Sequence, residues 1–153
     1  MGQYTANQAA DYFLSFCRKH GDYLTNLKLQ KLVYYAQAWH LALKNKPLFI
    51  ERIEAWAHGP VVPPLYGRFK KYGWSPISVE PACPTFSNGT GKFLEEVFSV
   101  YGHYSAWDLE RMTHQEEPWR NARKGLSPDD EGHNVITHND MRDFYRKLSG
   151  DRA

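Results

Sequence analysis

The feature that most constrains the fold is the segment from Leu24 to Lys44, which predicts one helix of about twenty residues. Thr25 is a good N-cap, because its hydroxyl can accept a hydrogen bond from a free amide in the first turn. Leu24 and Leu29 occupy the two positions of a hydrophobic staple. One apolar face is formed at helical spacing by Leu29, Leu32, Val33, Ala36, Trp39 or His40, and Leu43, and the other sides carry Leu27, Tyr34, Tyr35, Ala38 and Leu41. A helix that is apolar on nearly all sides is normally buried, so we expect neighbouring helices to cover it on more than one side.

Capping residues and helix-compatible prolines predict further helices on both sides of this segment. The predicted helices run from Thr5 to about Lys19, from Pro63 or Pro64 to Gly73, from Thr90 to Gly102, from Ser105 to before Pro118, and onwards from Thr137. In the last one, Met141, Phe144, Tyr145 and Leu148 form the expected buried side.

Short extended segments are predicted between these helices. Ile53 and Ala55 alternate with polar residues within the stretch from Leu48 to Trp56, which indicates a strand. Residues 135–136 are expected to pair with it. Residues 58–64 predict a constrained turn, in which Gly59 supplies conformational freedom.

Two stretches are predicted as loops, namely residues 74–89, with a short extended piece at 77–79, and the polar residues 125–134. The expected fold class is therefore mainly α, with residues 1–153 as a single domain. It is a bundle of about five or six helices around a buried central helix, with a small two- or three-stranded β element.

The composition limits the classes of function. A formal net charge of +2 is too small to indicate nucleic-acid binding. No run of apolar residues is long enough to span a membrane, and the first residues lack the pattern of a signal peptide, so we expect a cytoplasmic protein. Cys17 is expected to be an inert core thiol and Cys83 lies in a loop, and two isolated cysteines make neither a disulfide scaffold nor a zinc site.

Motifs for catalysis or metal binding are missing or incomplete. His114-Gln115-Glu116 matches the H-x-E of zinc deaminases, but these enzymes also need a P-C-x-x-C segment, which the sequence lacks. His133 and His138 lie near acidic residues, where we favour capping and solvation over a metal site. The sequence therefore predicts no catalytic residue, no metal and no cofactor.

The basic residues form small groups. Lys28 and Lys31 lie in the first turns of the central helix, where positive charge opposes the helix dipole, so we expect a partner carboxylate or a role in contacts. Arg120, Arg123 and Lys124 form another group, which we interpret as a solvated face in preference to a phosphate-binding patch.

Aromatic and histidine side chains recur where elements end or turn, namely Trp39, His40, Trp56, His58, His114 and Trp119. One interpretation is that they pack at corners of the core, with their N–H groups bonded to the backbone. The other is that some of them line a shared groove for a partner.

Two long motifs resemble a known family. The stretch from Leu27 to His40, followed by Pro47-Leu48-Phe49 and by Ile53 to Pro63, is similar to the Panacea antitoxin domain, also called the SocA-like or GepA-like domain. Thr113 to Trp119 resembles that family's second signature, a Thr-His-x-Glu element that ends in Pro-Trp. The resemblance extends from Thr5 to about Phe144 and leaves out residues 75–90. The candidate partner-binding or motif residues are Lys28, Lys31, Gln37, Trp39, His40, Glu54, Trp56, His58, Pro60, His114, Glu116 and Trp119.

The resemblance implies a bacterial or prophage-encoded protein that neutralises a toxin encoded nearby, through direct protein binding and without enzymatic activity. An alternative within the same family is an adaptor that delivers the toxin to a protease. A third hypothesis is a cryptic enzyme or small-ligand binder, which requires that His40, His58, His114, Glu54 and Glu116 converge on one open pocket. We expect no membrane association and no direct nucleic-acid binding. Loop 74–89 and exposed faces near it are expected to determine which toxin is bound.

Overall fold

Helix α2, Asn26–Lys44, lies at the centre of the computed structural model, which describes residues 4–87 and 89–150. The other elements, in chain order, are α1 (Ala6–Lys19), β1 (Glu54–Trp56), β2 (Gly59–Val61), α3 (Pro63–Phe69), a 3-10 turn (Lys70–Tyr72), α4 (Thr90–Tyr101), α5 (Ala106–His114), α6 (Glu117–Ala122) and α7 (His138–Gly150). The predicted class, mainly helical with a small β element, is confirmed.

Helix α2 is buried almost throughout. Every side chain from Leu29 to Ala38 is buried, and the helix packs against α1, α3, α4, α5, α7 and β2. This arrangement confirms the prediction of a central helix covered on several sides. Two leucines that were predicted on buried faces are exposed instead, Leu43 by 59% and Leu148 by 48%. Both lie in the last turn of a helix, and Leu43 lines a groove with Phe93 and Val100 of α4.

The capping predictions are largely confirmed. Thr5 accepts a hydrogen bond from the Gln8 amide while the Gln8 side chain accepts one from the Thr5 amide, which completes a capping box. Thr25 caps α2 through the Lys28 amide. The prediction for Thr90 was wrong by one residue. Gly89, in a left-handed conformation with φ +80°, is the N-cap of α4, and Thr90 is the first helical residue.

The helix predicted from Ser105 stops before Pro118, as expected, and a second short helix follows it. Ser105 caps α5 as expected, α5 ends at His114, and α6 begins at Glu117 with Pro118 in its first turn. Proline is tolerated there because the first turn leaves backbone amides free in any case. Pro118 therefore belongs to the start of a helix that the sequence did not predict.

The β element is an antiparallel hairpin of β1 and β2, with Trp56 opposite Gly59. Part of the predicted turn at residues 58–64 is thus a strand. The predicted pairing with residues 135–136 is confirmed, since the Ile136 amide donates to the Ile53 carbonyl at 2.8 Å and Val135 forms an isolated bridge with Glu54. A polar loop precedes it, as predicted.

Residues 74–87 contain no helix or paired strand, as expected of a loop, although they are tied to the core. The extended piece predicted at 77–79 is replaced by one bridge between Pro76 and Thr25, next to which the buried Ile77 donates its amide to the Leu24 carbonyl. The Phe86 ring packs edge-on against Tyr12 of α1. Within the described ranges, no helix combines the length and the apolar character needed to cross a membrane.

Candidate functional site

Two polar motif residues of α2, Gln37 and His40, hold the segment after this helix in place. The Gln37 amide group donates to the Phe49 carbonyl at 2.7 Å and accepts from the amides of Leu48 and Phe49 at 2.8 and 3.3 Å. His40 Nδ1 donates to the Lys46 carbonyl at 2.6 Å, and burial lowers the pKa of this imidazole. Since buried polar groups need hydrogen-bond partners, these side chains fix the segment after α2 in its path.

Lys28 anchors a different element. Its ammonium group donates to the Gly102 carbonyl, the C-cap of α4, at 2.6 Å, and partial burial lowers its pKa. The contact that the sequence predicted for Lys28 is therefore made with a backbone carbonyl and not with a carboxylate. A cation near a helix carboxyl end also interacts favourably with the dipole of that helix.

Lys31 is buried without a comparable partner. Its side chain is fully enclosed, and its Nζ atom has no hydrogen-bond acceptor among the described residues. A Cβ atom built on Gly59 would lie 2.8 Å from Lys31 Cε, so the amine lies directly beneath the β hairpin. Burial lowers the pKa of Lys31 to about 8, while the charge of Glu110 opposes this shift.

A second set of contacts surrounds Trp119 of α6. The indole N–H donates to the Trp56 carbonyl at 2.8 Å, and the His114 imidazole stacks on the ring with centroids 3.9 Å apart. Burial lowers the pKa of His114, and its Nε2 atom is enclosed with no partner in the described part of the chain. The second signature thus packs against the β hairpin, which favours the corner-of-the-core interpretation for these rings.

Arg123 is a structural residue that the sequence analysis placed incorrectly in a solvated patch. It is 4% exposed, and its guanidinium donates to the Ala55 carbonyl at 2.9 Å and to the Ser127 carbonyl at 3.0 Å. It also donates to the Asp130 carbonyl and lies over the Trp119 ring. The planar fork of arginine suits this set of carbonyls, and it fixes the loop after α6 against β1.

Glu116 is the acceptor of a buried tyrosine network. Its Oε1 atom accepts hydrogen bonds from the Tyr35 hydroxyl at 3.0 Å and from the Tyr145 hydroxyl at 2.6 Å. Burial raises the pKa of this carboxyl, while the two hydroxyl donors act in the opposite direction. Nearby, the Tyr35 ring stacks on Tyr101 and the Trp39 indole donates to the Tyr101 hydroxyl at 2.7 Å. Sequence reasoning missed these tyrosines, because the contacts join residues far apart in the chain.

We expect a Glu116→Gln variant to retain the fold, because the amide oxygen can still accept from the tyrosine hydroxyls. The folded state binds the Glu116 proton more tightly than the unfolded chain does, so ionisation lowers stability as the pH rises towards neutral. The stability of Glu116→Gln relative to the natural protein should therefore be higher at pH 7 than at pH 4 in urea unfolding. Glu116→Ala removes the acceptor of both hydroxyls and leaves Tyr145 OH only its contact with Tyr34 OH at 3.2 Å, so this variant should cost about 2 kcal/mol. Equal losses in the two variants would contradict this account.

The remaining candidates lie at the β hairpin. Glu54 accepts hydrogen bonds from the Trp56 indole at 2.9 Å and from Arg52 at 2.8 Å, and Pro60 is buried in β2 opposite Ala55. His58, at the turn of the hairpin, lies with Nδ1 3.3 Å from a Glu110 carboxylate oxygen. Of all the predicted site residues, only His58 is exposed.

The five groups of the cryptic-enzyme hypothesis do not converge. His40 lies near the carboxyl end of α2, Glu116 belongs to the tyrosine network, and only His58 lines a cleft. In the described ranges, no cluster of histidine, cysteine and acidic side chains is placed to hold a metal ion. Cys17 is buried, with its pKa raised by burial, and Cys83 is exposed.

Two adjoining clefts share Leu27 and His58. The first has a volume of about 270 Å³ and is also lined by Trp56, Tyr66, Asp129, Glu131 and His133. The second has a volume of about 430 Å³ and is also lined by Thr25, Trp74, Trp107 and Glu110. We call these two clefts together the tryptophan face. A separate apolar groove between α2 and α4 is lined by Leu43, Phe93, Val97 and Val100, and we call it the α2–α4 groove.

Comparison with known proteins places this structure in a family. The family model described as "Antitoxin SocA-like, Panacea domain" matches residues 29–120, which include α2 from Leu29 onwards, the hairpin and the whole second signature. The protein named Antitoxin SocA from Caulobacter vibrioides (strain NA1000 / CB15N) is 44% identical over 50 residues, which cover 33% of this chain and 27% of that protein. No solved structure matches the chain. Because the family match covers more than half of its residues, the chain belongs to the SocA-like, Panacea domain antitoxin family.

Proposed function

We propose that this protein neutralises a cognate toxin, encoded near its own gene, by binding the toxin directly in the cytoplasm and without catalysing a reaction. Membership of the SocA-like antitoxin family is the observation that carries the proposal. The similarity to Antitoxin SocA agrees with it, although the aligned stretch is only 27% of that protein's length.

The use of the motif residues supports a binding role. Gln37, His40, Glu116 and Trp119 all have their polar groups bonded to other parts of the chain, so the motifs build a rigid scaffold. A scaffold of this kind presents exposed faces in a fixed geometry, which lowers the entropic cost of binding a partner. We expect the interface to bury about 800 Å² on each partner, as in protein complexes of standard size.

Co-expression tests this proposal. The product of the adjacent reading frame is produced from an inducible promoter in a host strain, with and without this protein. We expect that product alone to stop growth, and co-expression to restore growth together with a complex that co-purifies. A harmless neighbouring product, or growth arrest that this protein does not relieve, would refute the proposal.

The adaptor alternative predicts a different readout in the same strain. Delivery to a protease requires the toxin half-life to fall when this protein is present, whereas direct inhibition leaves the half-life unchanged or lengthens it. A pulse-chase measurement of the toxin therefore separates the two modes, with the protease-deficient strain as the control.

A further inference from the structure

We propose that the tryptophan face binds the toxin and that it receives a toxin segment carrying an arginine or lysine side chain beside apolar residues. This inference rests on the proposed function and adds to it the surface and the chemistry of its ligand. It is carried by two exposed indoles in one cleft, by the charges of the two adjoining clefts and by the contacts that hold the cleft walls.

Large aromatic rings are exposed on this face. Trp74, after the 3-10 turn, is 76% exposed, and Trp107, in the first turn of α5, is 66% exposed. Both line the same cleft, and the Trp56 and Tyr66 rings line the adjoining one. Tryptophan and tyrosine are the residues that most often dominate binding energy at interfaces, and exposed rings around a shared cleft mark an interaction site.

The charge of the clefts selects the ligand. Glu110, Asp129 and Glu131 line them, whereas no lysine or arginine of the described chain does so. This contrasts with the protein as a whole, which has a formal net charge of +2. A cation placed between carboxylates and indole rings gains both ion pairing and cation–π attraction. The clefts are therefore complementary to a basic side chain with apolar neighbours.

The nearest buried cation offsets this charge only in part. The Lys31 amine lies beneath Gly59 and interacts with Glu110, but it does not line either cleft. Asp129 and Glu131 line the other cleft and are both exposed, and Glu131 Oε2 lies 3.1 Å from Nε2 of His133 in the same cleft. We therefore assign most of the attraction for a basic side chain to these two carboxylates.

The walls of the clefts are held in place before binding. Arg123 donates to the carbonyls of Ser127 and Asp130, on either side of Asp129, and the Ser127 amide donates to the Asp130 carboxylate. Leu27 of the central helix lines both clefts. A preformed acidic cleft binds with less loss of conformational entropy than a mobile loop does. Arg123 thus acts as a positioning residue for this face.

The test measures binding of the adjacent gene product to paired variants. Trp74→Ala combined with Trp107→Ala should raise the dissociation constant about 100-fold or more, because two indoles are lost from the interface. Growth rescue should be abolished. The control combines Leu43→Ala with Val100→Ala, which removes two exposed apolar side chains from the α2–α4 groove. We expect this control to bind within about threefold of the natural protein, since its residues lie outside the proposed interface. Thermal unfolding should be nearly unchanged in both, because the altered side chains are exposed.

A second pair of variants tests the chemistry of the ligand. Asp129→Asn with Glu131→Gln keeps the shape of the cleft and removes two charges. Binding should weaken about tenfold at low salt, and the remaining affinity should depend less on salt concentration. Unchanged affinity and unchanged salt dependence would overturn the assignment of a basic ligand.

The outcomes separate the two proposals. If the natural protein does not relieve growth arrest, the proposed function fails, and the inference that depends on it fails too. If the natural protein relieves arrest and the double tryptophan variant does so equally well, the proposed function stands and the tryptophan face is refuted. Loss of binding only in the control variant would place the interface at the α2–α4 groove.

Discussion

A Gly59→Ala substitution is expected to lower the free energy of unfolding by roughly 4 kcal/mol, through backbone strain and a steric clash. Gly59 has a φ of +117°, which residues with a side chain rarely adopt. The added methyl group would also lie 2.8 Å from Lys31 Cε and 3.3 Å from Thr113 Oγ1. Both side chains are fully buried, but the closest contact is with the far end of the flexible Lys31 side chain, so the backbone strain supplies most of the loss. Urea unfolding monitored by circular dichroism measures the loss.

Gly67→Ala provides the matched control, with an expected effect of opposite sign. Gly67 lies within α3, and a Cβ atom built there meets no other atom within 4 Å. Alanine is a better helix former than glycine, so this variant should be more stable by about 0.5–1 kcal/mol. If both variants changed stability equally, the loss at Gly59 would not come from its special environment.

Local signals in the sequence were sufficient to predict much of this fold. The caps at Thr5, Thr25 and Ser105 each depend on atoms within three residues. The apolar residues on nearly all sides of α2 predicted correctly that this helix is buried. Leu43 shows the limit of periodicity, because the pattern reports which face a residue lies on but not how closely the neighbouring helix packs against it. The short helix α6 was missed for a related reason, since a proline can either stop a helix or begin one.

The roles of the candidate site residues depended on contacts that local patterns do not encode. Glu116 meets Tyr35, which lies 81 positions earlier in the chain, and Arg123 meets the Ala55 carbonyl across 68 positions. A run of basic residues therefore looked like a solvated patch although one of its members is buried. The tryptophan face was likewise hidden, because Trp74 and Trp107 come together only after the chain has folded. Sequence alone identified the motif, and the structure was needed to separate its architectural residues from the exposed ones.

A Lys31→Met substitution is expected to raise the free energy of unfolding by about 3 kcal/mol at pH 7, because it removes a charge that is buried without a hydrogen-bond partner. Burial lowers the pKa of Lys31 from 10.5 to about 8. Between these two values the unfolded chain holds a proton that the folded protein lacks, so stability rises with pH across this window. Below about pH 8 the penalty for burying the charge is present in full. Methionine has a similar length and carries no charge, so it avoids the penalty.

The pH dependence and a neighbouring lysine make this prediction specific. The difference between Lys31→Met and the natural protein should fall by about half between pH 7 and pH 9.5 in urea unfolding, because the natural lysine loses its proton in this range. Lys28→Met should behave in the opposite way and lose about 1–2 kcal/mol, because its ammonium group donates to the Gly102 carbonyl. Two lysines three residues apart on one helix thus have opposite expected effects, which follow from whether each amine has an acceptor. A loss of stability in Lys31→Met that is independent of pH would mean that the buried amine contributes packing and that its charge imposes no penalty.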